Sequence, residues 1–357
     1  MRAHRRSRAA LAAVAAALAL APSALAKLPP LPHGWPKTLQ IGLTGNAGSA
    51  PAPLGFRYVY LAGGVNTGNG WSTWNPDGAY ASSFVRTAWS HHVVPVLSYY
   101  MLLQSQPAGG DEGQTDLAHL RDPQLMSAYW NDVRLLFARV RGAKTVVVHV
   151  EPDLWGYLEQ ANATALASSF AQQWIRLRNS LAPNVLLAYH MSGWGTKHDI
   201  VYEDPPDATV QRYAAQSAAF YRALHARFDV AFEDFSDRDA GFYEKVEGNP
   251  NTWFTPADFH RHLLYGQTFV RLAGVRLAAW QIPLGNSSLD DTWDHYRDNR
   301  VEWLLGSRAH LRAYVAAGYV GFLFGGGADG TTSAATDGGV FYAKDRAYYR
   351  AGPLPLP

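Results

Sequence analysis

The chain of 357 residues contains no cysteine. That excludes disulfide stapling, thiolate zinc sites and cysteine nucleophiles. No Gly-x-Ser-x-Gly elbow occurs, which argues against a serine hydrolase of the α/β-hydrolase kind. No His-Glu-x-x-His pair is present either. The glycine runs Gly63-Gly64, Gly109-Gly110 and Gly325-Gly-Gly327 lack the Gly-x-Gly-x-x-Gly or Gly-Lys-Ser/Thr context of a phosphate loop. These absences leave no signature of a cofactor or a metal, and neither is expected. No linker and no internal repeat divides the sequence.

Residues 1–26 read as a processing segment. Arg2, Arg5, Arg6 and Arg8 form a basic n-region, Ala9 to Ala21 an apolar h-region, and Ala24-Leu25-Ala26 a small-x-small cleavage site before Lys27. Pro22 interrupts the apolar stretch, which is short for a bilayer span. The expectation is therefore a cleaved signal peptide, a secreted single domain over residues 27–357, and no stable membrane insertion afterwards. Four arginines and no acid lie in the leader, so its removal changes the formal charge from +2 to −2. The remaining chain offers no electrostatic argument for a nucleic-acid partner. About 330 residues bury a sizeable core without disulfides.

What the sequence has in surplus is aromatic: 12 Trp, 19 Tyr and 15 Phe. Carbohydrate clefts are a common reason for more aromatics than packing requires. Short apolar runs also recur along the chain. They are Leu39–Thr44, Arg57–Leu61, Val93–Tyr99, Thr145–Glu151, Val185–His190, Asp229–Asp234, Arg276–Gln281 and Tyr319–Phe324. Val146-Val-Val-His-Val150 is apolar on both faces, as in a buried parallel strand, and Pro152 stops it.

Amphipathic segments fill most of the gaps. Asp122-Pro123 is an N-cap with proline at N1, and Gly142 supplies the stop. Thr255-Pro256-Ala-Asp258 repeats the cap, and Gly274 ends that helix. Further helices are expected near 163–181, 208–226 and 299–317. Eight strands alternating with helices predict an α/β fold, a (β/α)8 TIM-type barrel. Its first βα unit should be distorted, because residues 45–55 are too short and too rich in Gly, Pro and Ala for a crossover helix. An open doubly wound sheet and a seven-stranded barrel are the alternatives.

In a barrel the strand ends converge on one mouth, where the chemistry sits. Carboxylates gather after the fourth strand (Glu151, Asp153) and the sixth (Glu233, Asp234), with His190 between them. Glycosidic hydrolysis needs one acid to protonate the leaving oxygen and one carboxylate to activate water or attack carbon. Alternation places Glu151 on the face of Val147 and His149, making it the expected general acid. Glu233 or Asp234 is the expected partner. Asp234 is favoured because it shares a face with Val230 and Phe232. Asp153, Trp155, His190, Trp194, Tyr99, Trp280 and Gln281 are the expected carbohydrate-binding set.

The layout resembles secreted (β/α)8 glycoside hydrolases. Val150-Glu-Pro-Asp153 is similar to the Glu-Pro-Asp strand end of the family 6 cellulases. That resemblance implies a distorted barrel, inverting hydrolysis of β-glucan and aspartates as working acids, and carries over only to Glu151 and Asp153. Retaining families of the clan-A kind place a nucleophile after the seventh strand, whereas here that strand runs Ala279-Trp-Gln-Ile-Pro-Leu-Gly285 with no carboxylate. The function expected is thus hydrolysis of a polysaccharide or cell-wall glycan, with inversion. Two other readings compete: a non-catalytic carbohydrate-binding barrel, and a metal-dependent hydrolase using Glu151, His190 and Glu233 as ligands.

Overall fold

The computed structural model describes residues 27–357; the signal-peptide expectation for residues 1–26 lies outside them. Eight strands form a closed parallel barrel in sequence order. They are β1 (Gln40–Thr44), β2 (Phe56–Ala62), β3 (Val94–Tyr100), β4 (Val146–Val150), β5 (Val185–Met191), β6 (Val230–Asp234), β7 (Leu277–Ile282) and β8 (Tyr319–Phe324). The (β/α)8 expectation holds, and the open-sheet and seven-stranded alternatives fall away. Residues 45–55 carry no helix, so the first connection departs from the βα pattern as expected. The ladder is irregular at one seam, where β7 meets β8 with two register shifts.

The strands sort their side chains into two layers. Phe56, Tyr58, Val96, Val147, Leu186, Ala188, Val230, Phe232, Trp280 and Val320 pack together inside the barrel. Val146, Val148, Val150, Leu187 and Tyr189 face out beneath the helices. The bulk of Phe56 at the closed end requires glycine on the neighbouring β1 and, beyond it, on β8. A Cβ on Gly42 would lie 2.7 Å from the Phe56 Cβ, and one on Gly321 would lie 3.2 Å from its ring. Trp35 closes the floor, its ring 5.0 Å from Phe56 and its indole N–H donating to the Val320 carbonyl at 3.2 Å.

The helix ends behave as their sequences dictate. Asp122 accepts from the backbone N–H groups of Gln124 (2.8 Å) and Leu125 (3.0 Å) to open the helix Pro123–Val140. Thr255 and Asp258 form a reciprocal capping box before Pro256–Ala273, which Gly274 ends at φ +74°. Such caps contribute about 1 kcal/mol each. The helix expected over 299–317 is two helices, Arg300–Gly306 and Arg308–Ala317. Ser307 breaks it by taking an extended conformation and capping the second through Ala309 N–H. Among the described residues no helix is long and apolar enough to cross a membrane.

Candidate active site

A cleft of about 620 Å³ opens at the carboxyl ends of the strands. Tyr60 ends β2, Tyr100 ends β3, Asp153 follows β4, Trp194 follows β5, Asp234 ends β6, and Trp280 and Gln281 end β7; all line it. Glu112, Tyr157, Asp237 and Tyr243 complete a wall that includes no lysine or arginine among the described residues. Flat apolar rings beside acidic groups are what a sugar ring asks for: CH faces to stack and hydroxyls to bond.

Asp153 reaches the cleft through strained backbone. It sits at φ +70°, ψ −39°, and Leu154 N–H donates across it to the Pro152 carbonyl at 2.9 Å. That is a γ-turn with positive φ, which costs a non-glycine residue about 1–3 kcal/mol. Strain of this kind concentrates at functional sites. Glu151 (φ +42°) and Gln281 (φ +50°) are two more positive-φ residues at strand ends around the same mouth. Gln281 also donates from Nε2 to the Tyr60 hydroxyl at 2.6 Å, which leaves the phenol proton for a ligand.

The two cleft aspartates oppose one another's ionisation. Burial pushes the Asp153 carboxyl up to about 7, with Glu112 and Asp237 adding to the rise. Burial raises Asp234 as well, reinforced by the charges of Asp153 and Asp237. Asp234 Oδ1 is buried without a hydrogen-bond partner among the described residues. Two such carboxyls on one cleft favour sharing a single proton, and the unpartnered Oδ1 of Asp234 is the place the geometry offers it. Asp237 lies beside them, bonded by the Tyr243 hydroxyl and paired with Arg238.

Beneath Asp153 lie two imidazoles. His190 Nε2 is 3.8 Å from Asp153 Oδ1, and His190 Nδ1 is 3.1 Å from His149 Nε2. Trp280 meets both rings edge-on, at 4.7 and 5.5 Å.

Several residues expected here are elsewhere. Glu151 is on the outer side of the wall, buried, with its carboxylate accepting from Met101 N–H (3.1 Å) and Leu102 N–H (3.2 Å). The strand stops at Val150, and the positive φ at Glu151 ends the alternation on which its inward assignment rested. Tyr99 also faces outward, its hydroxyl donating to Asp132 at 2.6 Å; Tyr100 occupies the cleft instead. Trp155 is fully buried among Phe170, Tyr189 and Phe228, with its N–H on the Val150 carbonyl at 2.8 Å. Glu233, by contrast, does line the cleft, though it is nearly fully buried, bonded by the Tyr319 hydroxyl and 3.7 Å from Nε2 of His262, another lining residue.

The metal reading fails on this geometry. Glu151 lies outside the barrel wall, its carboxyl on the Met101 and Leu102 N–H groups, and His190 lies inside it. Among the described residues no group of three or more His, Asp or Glu side chains is arranged to hold a metal ion. His260 and His262 sit two apart on a helix and point apart, to Asp207 and to Glu233.

Tyr60, Tyr100, Glu112 and Tyr157 are cleft residues that the sequence-based assignment missed. Tyr100 shares a face with Val96 and Ser98, and that signal was sufficient to find it. Glu112 and Tyr157 come from helices in the connecting segments, which strand alternation does not reach.

No family model matches the chain, and no curated protein matches it in sequence. Its fold has solved counterparts. A modular endo-β-1,4-mannanase of glycoside hydrolase family 26 from Cellulomonas fimi superposes with a TM-score of 0.57 at 13% identity, over 87% of this chain and 70% of that one. A family 26 β-mannanase from Bacteroides ovatus gives 0.54 at 14%, over 88% and 89%. An exo-β-1,4-mannosidase from an Opitutaceae bacterium gives 0.55 at 11%, over 89% and 62%. At these identities the likeness is one of fold.

Proposed function

We propose that the protein is an exported glycoside hydrolase acting on a polysaccharide or cell-wall glycan, with Asp234 as general acid and Asp153 as general base. The observation that carries this reading is the pair itself. Two aspartates stand at the ends of β4 and β6 on one aromatic-lined cleft, the charge of Asp153 raising the proton affinity of Asp234 and that of Asp237 raising both. The barrel shared with mannan-active enzymes supports the class, and the leader-like residues 1–26 support export.

The chemistry follows from the proton count. Asp234 gives its proton to the glycosidic oxygen as the bond to the anomeric carbon breaks. Asp153 takes a proton from a water that attacks that carbon from the opposite face. Asp153 ends protonated and Asp234 ionised, and solvent exchange resets the pair. Trp194, Tyr157 and Tyr100 supply rings for sugar faces. β7 offers Gln281 where a carboxylate nucleophile would be needed for a covalent intermediate, so the reaction is direct and inverting.

Release of reducing ends from a glycan panel that includes β-1,4-mannan, xylan, cellulose and cell-wall polysaccharides tests the reading. Product that disappears with Asp153→Asn and Asp234→Asn supports it. Binding by calorimetry with no product after prolonged incubation would make the barrel a carbohydrate-binding module instead.

A further inference from the structure

The interior of the barrel holds a polar chain that an apolar core does not require. Ser98 on β3, His149 on β4 and His190 on β5 are all fully buried. Ser98 Oγ is 3.4 Å from His149 Nδ1, His149 Nε2 is 3.1 Å from His190 Nδ1, and His190 Nε2 is 3.8 Å from Asp153 Oδ1. We infer that these three residues form a directed hydrogen-bond chain that presents one imidazole N–H to Asp153, making His190 the positioning residue that keeps this carboxylate ionised as the base. The inference rests on the reading of Asp153 given above.

Hydrogen-bond bookkeeping fixes the direction. Among the described residues His190 Nε2 has no other partner. If it were a bare lone pair it would face a carboxylate oxygen, which repels it. Its proton therefore lies on Nε2, so Nδ1 accepts from His149 Nε2–H, and His149 Nδ1 accepts from the Ser98 hydroxyl. The rings are neutral: burial pushes His190 down to about 3 and His149 well below its usual range. Phe232, 4.6 Å from the His149 ring, and Trp280 wall them off from solvent. The chain ends at Ser98 inside the barrel, so it moves no net proton and acts as a dipole.

The other groups that act on Asp153 favour its protonated form. Glu112 faces it from the helix Glu112–Arg121 and Asp237 from beyond the end of β6, with the acids Asp116 and Asp234 close by; the phenols of Tyr60, Tyr100 and Tyr157 also face it but are neutral, their ionisation suppressed by burial. The His190 N–H opposes them. At 3.8 Å it is beyond hydrogen-bond range, but the Asp153 side chain is 34% exposed and a small swing closes the gap, as catalytic contacts do when substrate binds.

The test needs no substrate. Two-bond ¹⁵N–¹H spectra of the labelled protein should show His149 and His190 neutral and protonated at Nε2 from pH 5 to 8. A proton on His190 Nδ1, or an imidazolium in that range, overturns the inference. The ¹³C titration of the Asp153 carboxyl should move up by about one pH unit in His190→Phe and return towards its original midpoint in His190→Asn, which restores a donor. His149→Gln, a milder change, should shift it less. An unmoved titration with hydrolysis intact removes His190 from the mechanism. A shifted titration in a protein that hydrolyses no glycan removes the functional reading and leaves the chain standing.

Discussion

Glu151 and Asp153 flank a single proline yet lie on opposite sides of the barrel wall. The Glu151 carboxylate is held outside by the Met101 and Leu102 N–H groups, while Asp153 turns into the cleft through a γ-turn. One positive-φ residue on each side of Pro152 (φ +42° and φ +70°) accomplishes the exchange. The outer acid ties β4 to the loop after β3, and the inner acid is left free for a substrate.

The two tryptophans on either side of that wall should separate by phenotype. Trp155→Ala empties a fully buried site and should cost about 3–5 kcal/mol of stability, read as a lower Tm. Trp194→Ala removes a half-buried cleft ring that sits 4.8 Å from Tyr157. It should leave Tm near that of the parent and raise KM for glycan by about 3- to 10-fold, the range of a lost ring contact. Equal effects on both measurements in both variants would remove Trp194 from the binding surface.

Buried ionisable groups set an unusual stability profile. Burial pushes Asp116, Glu151, Glu233 and Asp345 up to about 8, and Asp153, Glu159 and Asp239 up to about 7. The folded chain keeps these protons while the unfolded chain releases them near pH 4, so stability falls as pH rises from about 4 to 8. His149, His190 and His262 act in the opposite sense, since burial depresses all three. Their contribution is present above about pH 6.5 and is lost as pH falls below it. The carboxyls outnumber the imidazoles, so Tm should peak on the acidic side of neutrality and drop by pH 8. Scanning calorimetry at fixed ionic strength checks this; a Tm that climbs steadily from pH 5 to 8 contradicts it.

The fold was legible because its signals are local and redundant. Most strands are apolar runs with Gly, Pro or Asp close to an end, and the eight observed strands coincide with the expected ones to within a residue or two. Capping chemistry at Asp122 and Thr255 announced two helices. The site was legible only where alternation persisted. Val230, Phe232 and Asp234 share a face as expected, and Asp234, Asp153, Trp194, Trp280 and Gln281 line the cleft. Glu151 was misread because a single backbone torsion, invisible in the residue pattern, reverses the side. Tyr99 was misread by choosing the wrong neighbour of a correctly placed strand. Trp155 lies on a helix whose buried face the strand-end argument did not weigh.

The proposed inversion of configuration rests on where the acids are. Asp153 and Asp234 come from strands two apart, and adjacent strands are spaced about 4.8 Å, so their backbones are roughly 9–10 Å apart. That leaves room for a water between the carboxyls, for which inverting enzymes use about 6.5–9.5 Å. Proton NMR of the first-formed sugar should show the anomer opposite to the substrate. The substrate's own configuration in the first product would require a carboxylate nucleophile and displace the direct mechanism.

Parallel digests of one oligosaccharide by the parent, Asp153→Asn, Asp234→Asn and Glu151→Gln decide between the two sides of the wall. The parent should release reducing ends. Each aspartate variant should lose about two to four decades in kcat, as removal of a general acid or base does. Glu151→Gln keeps a carbonyl oxygen for the two backbone donors that share Oε2, and should turn over within about threefold of the parent per folded molecule. Full activity in either aspartate variant, or a folded Glu151→Gln protein that is inert, contradicts the assignment of Asp153 and Asp234 as the working pair.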